Sequence, residues 1–216
     1  MDAFVTGTDT GVGKTVLAAL MAAALGNGYW KPIQTGRIQG RAPTDRETVI
    51  AWTGLDAPNA PPEAYVFDPP VSPHLAALEA GVTIDLPSIR RPRTPLPLVI
   101  EGAGGVMVPI NETEFMLDLM HHLAVPIVVA ARTQPGTINH TLLTVEAIRR
   151  RKLALTGVVL VGEQNEENRK AIERYGGVRV IGWIPPMSRI DRAALVAVFE
   201  RHFDRSCFDG KSAYES

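Results

Sequence analysis

The chain has 216 residues, 45% of them hydrophobic and 21% charged, with a formal net charge of −1. That is the natural size of one α/β domain, here residues 1–216, and the charge balance excludes the basic footprint of a nucleic-acid or anionic-membrane binder. One cysteine, Cys207, excludes an intrachain disulfide; with no signal-like start and no apolar run longer than residues 16–25, the expectation is a soluble cytoplasmic protein.

Strand-like and helix-like segments alternate along the chain. Strands are predicted near 3–6, 29–32, 98–101, 127–131, 155–161 and 179–183, and helices near 13–25, 45–52, 114–122, 138–151, 166–175 and 191–201. Several strands are nearly continuous apolar runs, such as residues 126–131, which suits strands covered by helices on both faces. The expected fold is therefore α/β, three layers, doubly wound around a mainly parallel sheet, with ligands gathering at the carboxyl ends of its strands. Ten of the 17 prolines fall between Pro58 and Pro97 and break that stretch into loops with one short helix near 74–80, read as an excursion over the sheet. The polar tail beyond Phe208 reads as a fraying end.

The first strand runs into Gly7-Thr8-Asp9-Thr10-Gly11-Val12-Gly13-Lys14-Thr15 and then into the apolar helix that begins with Val16. This is the strand, glycine loop and helix of a phosphate-binding loop, although the usual first glycine falls on Thr8. Glycines let backbone N–H groups curl around phosphate oxygens, and the helix directs its positive end at the same anion. Lys14 can reach the β- and γ-phosphates, and the Thr15 hydroxyl can ligate Mg²⁺. Only five of the 22 basic residues are lysines, and Lys14 and Lys31 stand at the ends of the first two predicted strands. Lys31 is either a salt-bridged scaffold residue or a second cation for phosphoryl charge.

Further along, the apolar strand 98–101 is expected to end on Glu101, the usual place for a Mg²⁺-associated acid, followed by Gly102, Ala103, Gly104 and Gly105, where backbone can approach phosphate closely. Asp45 and Thr137 both stand at predicted helix starts, where a plain N-cap role competes with a site role. Free N–H groups at the start of the helix after Gly136 can bind a carboxylate. His74 and His140 read as packing or capping residues.

Taken together, these segments resemble the dethiobiotin synthetase family. The resemblance is carried by residues 7–15, by Lys31-Pro32-Ile33-Gln34-Thr35-Gly36, by Ser72-Pro73-His74, by residues 101–105 and by Gly136-Thr137-Ile138-Asn139-His140. It implies a phosphate-loop fold, a homodimer, ATP as co-substrate and Mg²⁺ as cofactor. It also implies the substrates 7,8-diaminopelargonic acid and CO2 or bicarbonate, with no nucleic acid or membrane as partner. One amine takes up CO2 as a carbamate, the γ-phosphate of ATP converts it to a carbamic–phosphoric anhydride, and the second amine closes the ureido ring of dethiobiotin.

Carried over residue by residue, the resemblance makes Lys31 and Lys14 catalytic. Gly11, Val12, Gly13, Lys14, Thr15, Val16, Glu101, Gly102, Ala103 and Gly104 would hold the nucleotide. Thr15, Asp45 and Glu101 would hold Mg²⁺. Thr35 would contact the diamine–carbamate end, and Gly136, Thr137, Ile138 and Asn139 would receive the distant carboxylate from the neighbouring subunit. Two departures stand out: Gly11 replaces a frequent glutamate, and Val161-Gly162 stand where some members carry an adenine-reading Asn-Asp pair, so other nucleoside triphosphates are expected to serve. A partition-type ATPase switch of the same fold is the alternative, but it would carry a lysine at Asp9. A GTPase would need an Asn-Lys-x-Asp motif, and a cobyrinate amide-forming enzyme a further glutaminase domain.

Overall fold

The computed structural model describes residues 1–37 and 42–208; the tail expected to fray lies outside them. Six parallel strands form the central sheet: β1 (Ala3–Gly7), β2 (Gly28–Trp30), β5 (Leu98–Gly105), β6 (Ile127–Arg132), β7 (Leu155–Val161) and β8 (Val180–Ile184). Their order across the sheet is β2-β5-β1-β6-β7-β8, so β1, which delivers the glycine loop, is central. Two short strands, β3 (Ile33–Gln34) and β4 (Tyr65–Val66), pair in parallel as a separate ribbon.

The helices are α1 (Lys14–Leu25), α2 (Asp45–Thr53), α3 (Pro73–Glu79), α4 (Met116–Leu123), α5 (Thr137–Arg150), α6 (Glu166–Gly176) and α7 (Arg192–His202). Strand residues alternate between two cores, as a period of two requires. Val5, Tyr29, Val99 and Val128 pack on one face with Leu17, Leu20 and Met21 of α1 and Phe199 of α7. Phe4, Trp30, Ile100 and Val129 pack on the other with Met120 of α4, Ile148 of α5 and Ile172 of α6. This is the three-layer, doubly wound arrangement expected from the apolar strands. Helix α1 is buried from Leu17 to Ala23 because α2 and α7 cover the side that the sheet leaves open.

The structure corrects three expectations. Strand β2 stops at Trp30, ahead of Lys31-Pro32, because Pro32 has no N–H for the ladder. Its carbonyl instead accepts from Ala64 and Tyr65, which starts the β3–β4 ribbon. Strand β5 runs on to Gly105, so Glu101 sits within a strand rather than at its end. The small residues after Glu101 are what allow this: Gly105 pairs with Gly7, and a Cβ on Gly102 would lie 2.9 Å from the Phe4 ring. Helix α4 starts at Met116 rather than near Glu114, with the Asp118 carboxylate accepting from the Phe115 N–H. The proline-rich excursion contains β4, α3 and two 3-10 turns, and its Phe67, Ala76, Ile84 and Ile89 join the core beneath Ile100.

Candidate active site

Gly13 is the N-cap of α1 and adopts a left-handed conformation, φ 97°, with no room for a side chain: a Cβ there would lie 2.8 Å from Val161. Both constraints select glycine. Lys14 therefore opens the helix, and its Nζ curls back to donate to the Asp9 carbonyl at 2.9 Å. Arg132, at the end of β6, braces the same loop by donating to the Thr10 carbonyl at 2.6 Å. Burial, and then repulsion from Lys31, lower the Lys14 ammonium to about 8.

Lys31 follows β2, beside Glu101 of β5. Its buried ammonium lies 2.6 Å from Asp45 Oδ2 and 3.0 Å from Glu101 Oε1. Burial works against that charge, but Glu101 and Asp45 outweigh it and hold Lys31 above the ordinary lysine value. Burial would likewise raise Asp45, yet the Lys31 charge, with hydrogen bonds from Lys31 and Thr15, takes it below the usual aspartate value. The Thr15 hydroxyl faces both acids, 2.9 Å from Glu101 Oε1 and 3.2 Å from Asp45 Oδ1. Two carboxylates thus converge on a single cation, here an ammonium, and one hydroxyl donates to both of them. One or two carboxylates with an open side toward phosphate is the donor set that suits Mg²⁺. Among the described residues no group of three or more His, Cys, Asp or Glu offers an all-protein metal cage.

The cleft around this cluster has a volume of about 620 Å³. It collects Gly11, Gly13, Lys14, Thr15, Val16, Lys31, Thr35, Asp45, Glu101, Ala103 and Gly104 from segments far apart in sequence. Val12 is buried and borders instead an adjoining cavity of about 350 Å³, together with Arg132, Thr133, Val161 and Gly162. Gly102 is buried against Phe4 and Met116. At Gly162 both backbone groups are engaged, since its N–H donates to Ile184 at 3.0 Å and its carbonyl accepts from Trp183 Nε1 at 2.8 Å.

Gly136, Thr137, Ile138 and Asn139 are not brought to this cleft. Gly136 is the N-cap of α5, Thr137 is buried with its hydroxyl donating to the Arg132 carbonyl, Ile138 packs on the core, and Asn139 is exposed. The N-cap readings of Thr137 and Asp45 are corrected accordingly. The cap of α2 is Thr44, locked in a reciprocal pair with Glu47, which leaves the Asp45 carboxylate free to face Lys31. His74 is exposed and its Nδ1 lies 2.9 Å from Ser72 Oγ, while Ser72 and Pro73 line the cleft.

Sequence reasoning missed Tyr29, Gln34 and Arg132. Tyr29 is fully buried and donates to Glu101 Oε2 at 2.8 Å; burial, then Glu101 and Asp45, hold its phenol well above the ordinary value, so it stays a donor. Gln34 accepts from the Asp45 N–H at 3.2 Å and donates to the Thr35 carbonyl at 2.7 Å, tying the start of α2 to the loop after β3. The only sequence signal for Tyr29 was its place two residues before Lys31 within the strand predicted over 29–32.

A family profile described as an AAA domain matches residues 2–194. The chain is 50% identical over 195 residues to the ATP-dependent dethiobiotin synthetase BioD of Paramagnetospirillum magneticum, covering 90% of this chain and 93% of that protein. It is 46% identical over 205 residues to the enzyme of the same name from Afipia carboxidovorans, covering 94% and 96%. Among solved structures, a ParA family ATPase from Chlorobium tepidum superposes with a TM-score of 0.55 at 12% identity, over 92% of this chain and 90% of that one. That likeness concerns the fold alone. On the strength of its sequence relatives, the chain belongs to the ATP-dependent dethiobiotin synthetase family.

Proposed function

We propose that this protein closes the ureido ring of dethiobiotin from 7,8-diaminopelargonic acid and CO2, with ATP as the phosphoryl donor. The observation that carries the reading is the convergence of Lys14, Thr15, Lys31, Asp45 and Glu101 on one cleft at the mouth of a phosphate-binding loop.

The reaction joins three anionic or weakly reactive partners, so its main demands are alignment and charge neutralisation. The loop N–H groups from Gly11 to Val16 hold the triphosphate at the helix start. The carbamate oxygen attacks the γ-phosphorus, the bond to ADP breaks, and a carbamic–phosphoric anhydride forms. Lys14 and Lys31 flank the equatorial phosphoryl oxygens, where donors matter most in the transition state. Thr15, Asp45 and Glu101 would hold Mg²⁺, which would supply positive charge against the triphosphate. The second amine then attacks the anhydride carbon, phosphate leaves, and the amine proton passes to solvent or phosphate. Ala103 and Gly104 line the cleft without bulk, and Thr35 orients the carbamate end.

The Gly136-to-Asn139 segment has no partner in its own cleft, and α5 also carries Leu143, 62% exposed, beside Met107, 56% exposed. Both features support a homodimer in which each α5 start serves its neighbour's substrate carboxylate.

Turnover of diaminopelargonate, bicarbonate, Mg²⁺ and ATP tests this reading. A ureido product of dethiobiotin mass is expected, with one phosphate released per ring. ATP hydrolysis that is indifferent to the diamine would overturn it.

A further inference from the structure

Tyr29 has no part in the roles assigned above, yet it is fully buried and aimed at the centre of the site. Strand β2 pairs with β5 so that Tyr29 faces Val99 and Trp30 faces Ile100, which leaves Glu101 one step past the ladder. Tyr29 in β2 and Lys31 just past its end both reach the Glu101 side chain. They take opposite oxygens of one carboxylate. Lys31 Nζ lies 3.0 Å and Thr15 Oγ1 2.9 Å from Oε1, on the cleft side, while the Tyr29 hydroxyl donates to Oε2 at 2.8 Å from within the core.

A glutamate carboxylate turns about a broad, roughly two-fold terminal torsion, so an unanchored Glu101 would present neither oxygen in a fixed direction. A neutral donor on Oε2 fixes the plane and still leaves the negative charge available to a cation. An arginine or lysine at position 29 would cancel that charge, and a phenylalanine would fill the space without anchoring anything. Partners of this kind, behind a metal ligand, set its orientation and with it the metal affinity.

We propose that Tyr29 is a positioning residue, holding Glu101 by Oε2 so that Oε1 is presented to the divalent cation and to Lys31. The proposal rests on the reading of Glu101 as a Mg²⁺ ligand. The test measures binding of Mn²⁺ as probe, by electron paramagnetic resonance with a non-hydrolysable ATP analogue, for wild type, Tyr29→Phe, Glu101→Gln and the double variant. Tyr29→Phe should weaken Mn²⁺ binding by about tenfold or more. Affinity for the analogue in EDTA and the KM for the diamine should stay at wild-type values, and the double variant should bind no more weakly than Glu101→Gln alone. Wild-type Mn²⁺ affinity in Tyr29→Phe, or additive losses in the double variant, would overturn the proposal while leaving Glu101 a ligand. Unchanged affinity in Glu101→Gln would remove the ligand reading first. Should Tyr29→Phe fail to fold, 3-fluorotyrosine placed at position 29 gives a fluorine resonance that should move when Mg²⁺ joins the nucleotide complex. A resonance that does not move would overturn the proposal as well.

Discussion

Removing the Lys31 ammonium should damage both stability and turnover, and the structure sizes each loss. In Lys31→Ala, Asp45 and Glu101 lose a cation 2.6 Å and 3.0 Å away, and Glu101 has a side chain only 1% exposed. Breaking a buried ion pair on one side typically costs about 3–5 kcal/mol, because a charge is left uncompensated. The Asp45 side chain is 33% exposed, so water takes up part of the loss and the low end, about 3 kcal/mol, applies. For a chain of this length each kcal/mol moves Tm by roughly 2–4 °C, giving a fall of about 6–12 °C in EDTA. Mg²⁺ with nucleotide should recover part of that fall by supplying a cation to the same two acids. Turnover, measured at a temperature where both proteins are folded, should drop by about 10²–10³, the scale of losing one transition-state donor. Melting curves with and without Mg²⁺, beside product formation followed by mass, check both figures. Near-wild-type turnover would remove Lys31 from the mechanism, and an unchanged Tm in EDTA would refute the argument from the buried acids.

The remaining predictions concern pH, assembly and the base. Lys14, lowered to about 8 from its ordinary 10.5, binds less proton in the folded chain than unfolded between those values, so its contribution makes the free protein more stable as pH rises through that window. A bound triphosphate should restore its proton; at pH 8.5, calorimetry in buffers of different ionisation enthalpy should find proton uptake on nucleotide binding, lost in Lys14→Met. If the α5 start completes a neighbour's site, activity per chain should fall on dilution below the dimer's dissociation constant, and a fully active monomer in sedimentation would refute the shared site. Val161 and Gly162 have no polar side chain to offer the base, and both backbone groups of Gly162 are engaged. GTP and CTP should therefore support turnover within roughly tenfold of ATP, about 1.4 kcal/mol. A preference beyond about a hundredfold would point to Glu163, which lines the same cavity as Val161 and Gly162, with Glu163→Ala as the next test.

The layers of the fold were legible because several strands are apolar on both faces and strand-like and helix-like segments alternate. The glycine loop was legible for the same reason that it works: phosphate demands small residues at fixed spacing before a helix. Lys31 and Glu101 stood out as charges in apolar strands. The end of β5 was misjudged because glycines read as a loop, although here they let the backbone pass close to Gly7 and Phe4. The β3–β4 ribbon is too short to leave a periodic signal. Asp45 was ambiguous because an acid at a helix start satisfies a cap and a cation equally well, and only Thr44 in the cap position decides between them. Tyr29 was hidden by its own character, since a buried aromatic in a strand reads as core until its hydroxyl is placed.

The most direct test of the account follows oxygen. With 18O-labelled bicarbonate, assayed before the label washes out through CO2 hydration, a carbamate oxygen should end on phosphorus. The released phosphate should carry one 18O per turnover, and the ring carbonyl of the product another. Unlabelled phosphate alongside ring formation would contradict phosphoryl transfer to the carbamate, and with it the roles proposed for Lys14 and Lys31.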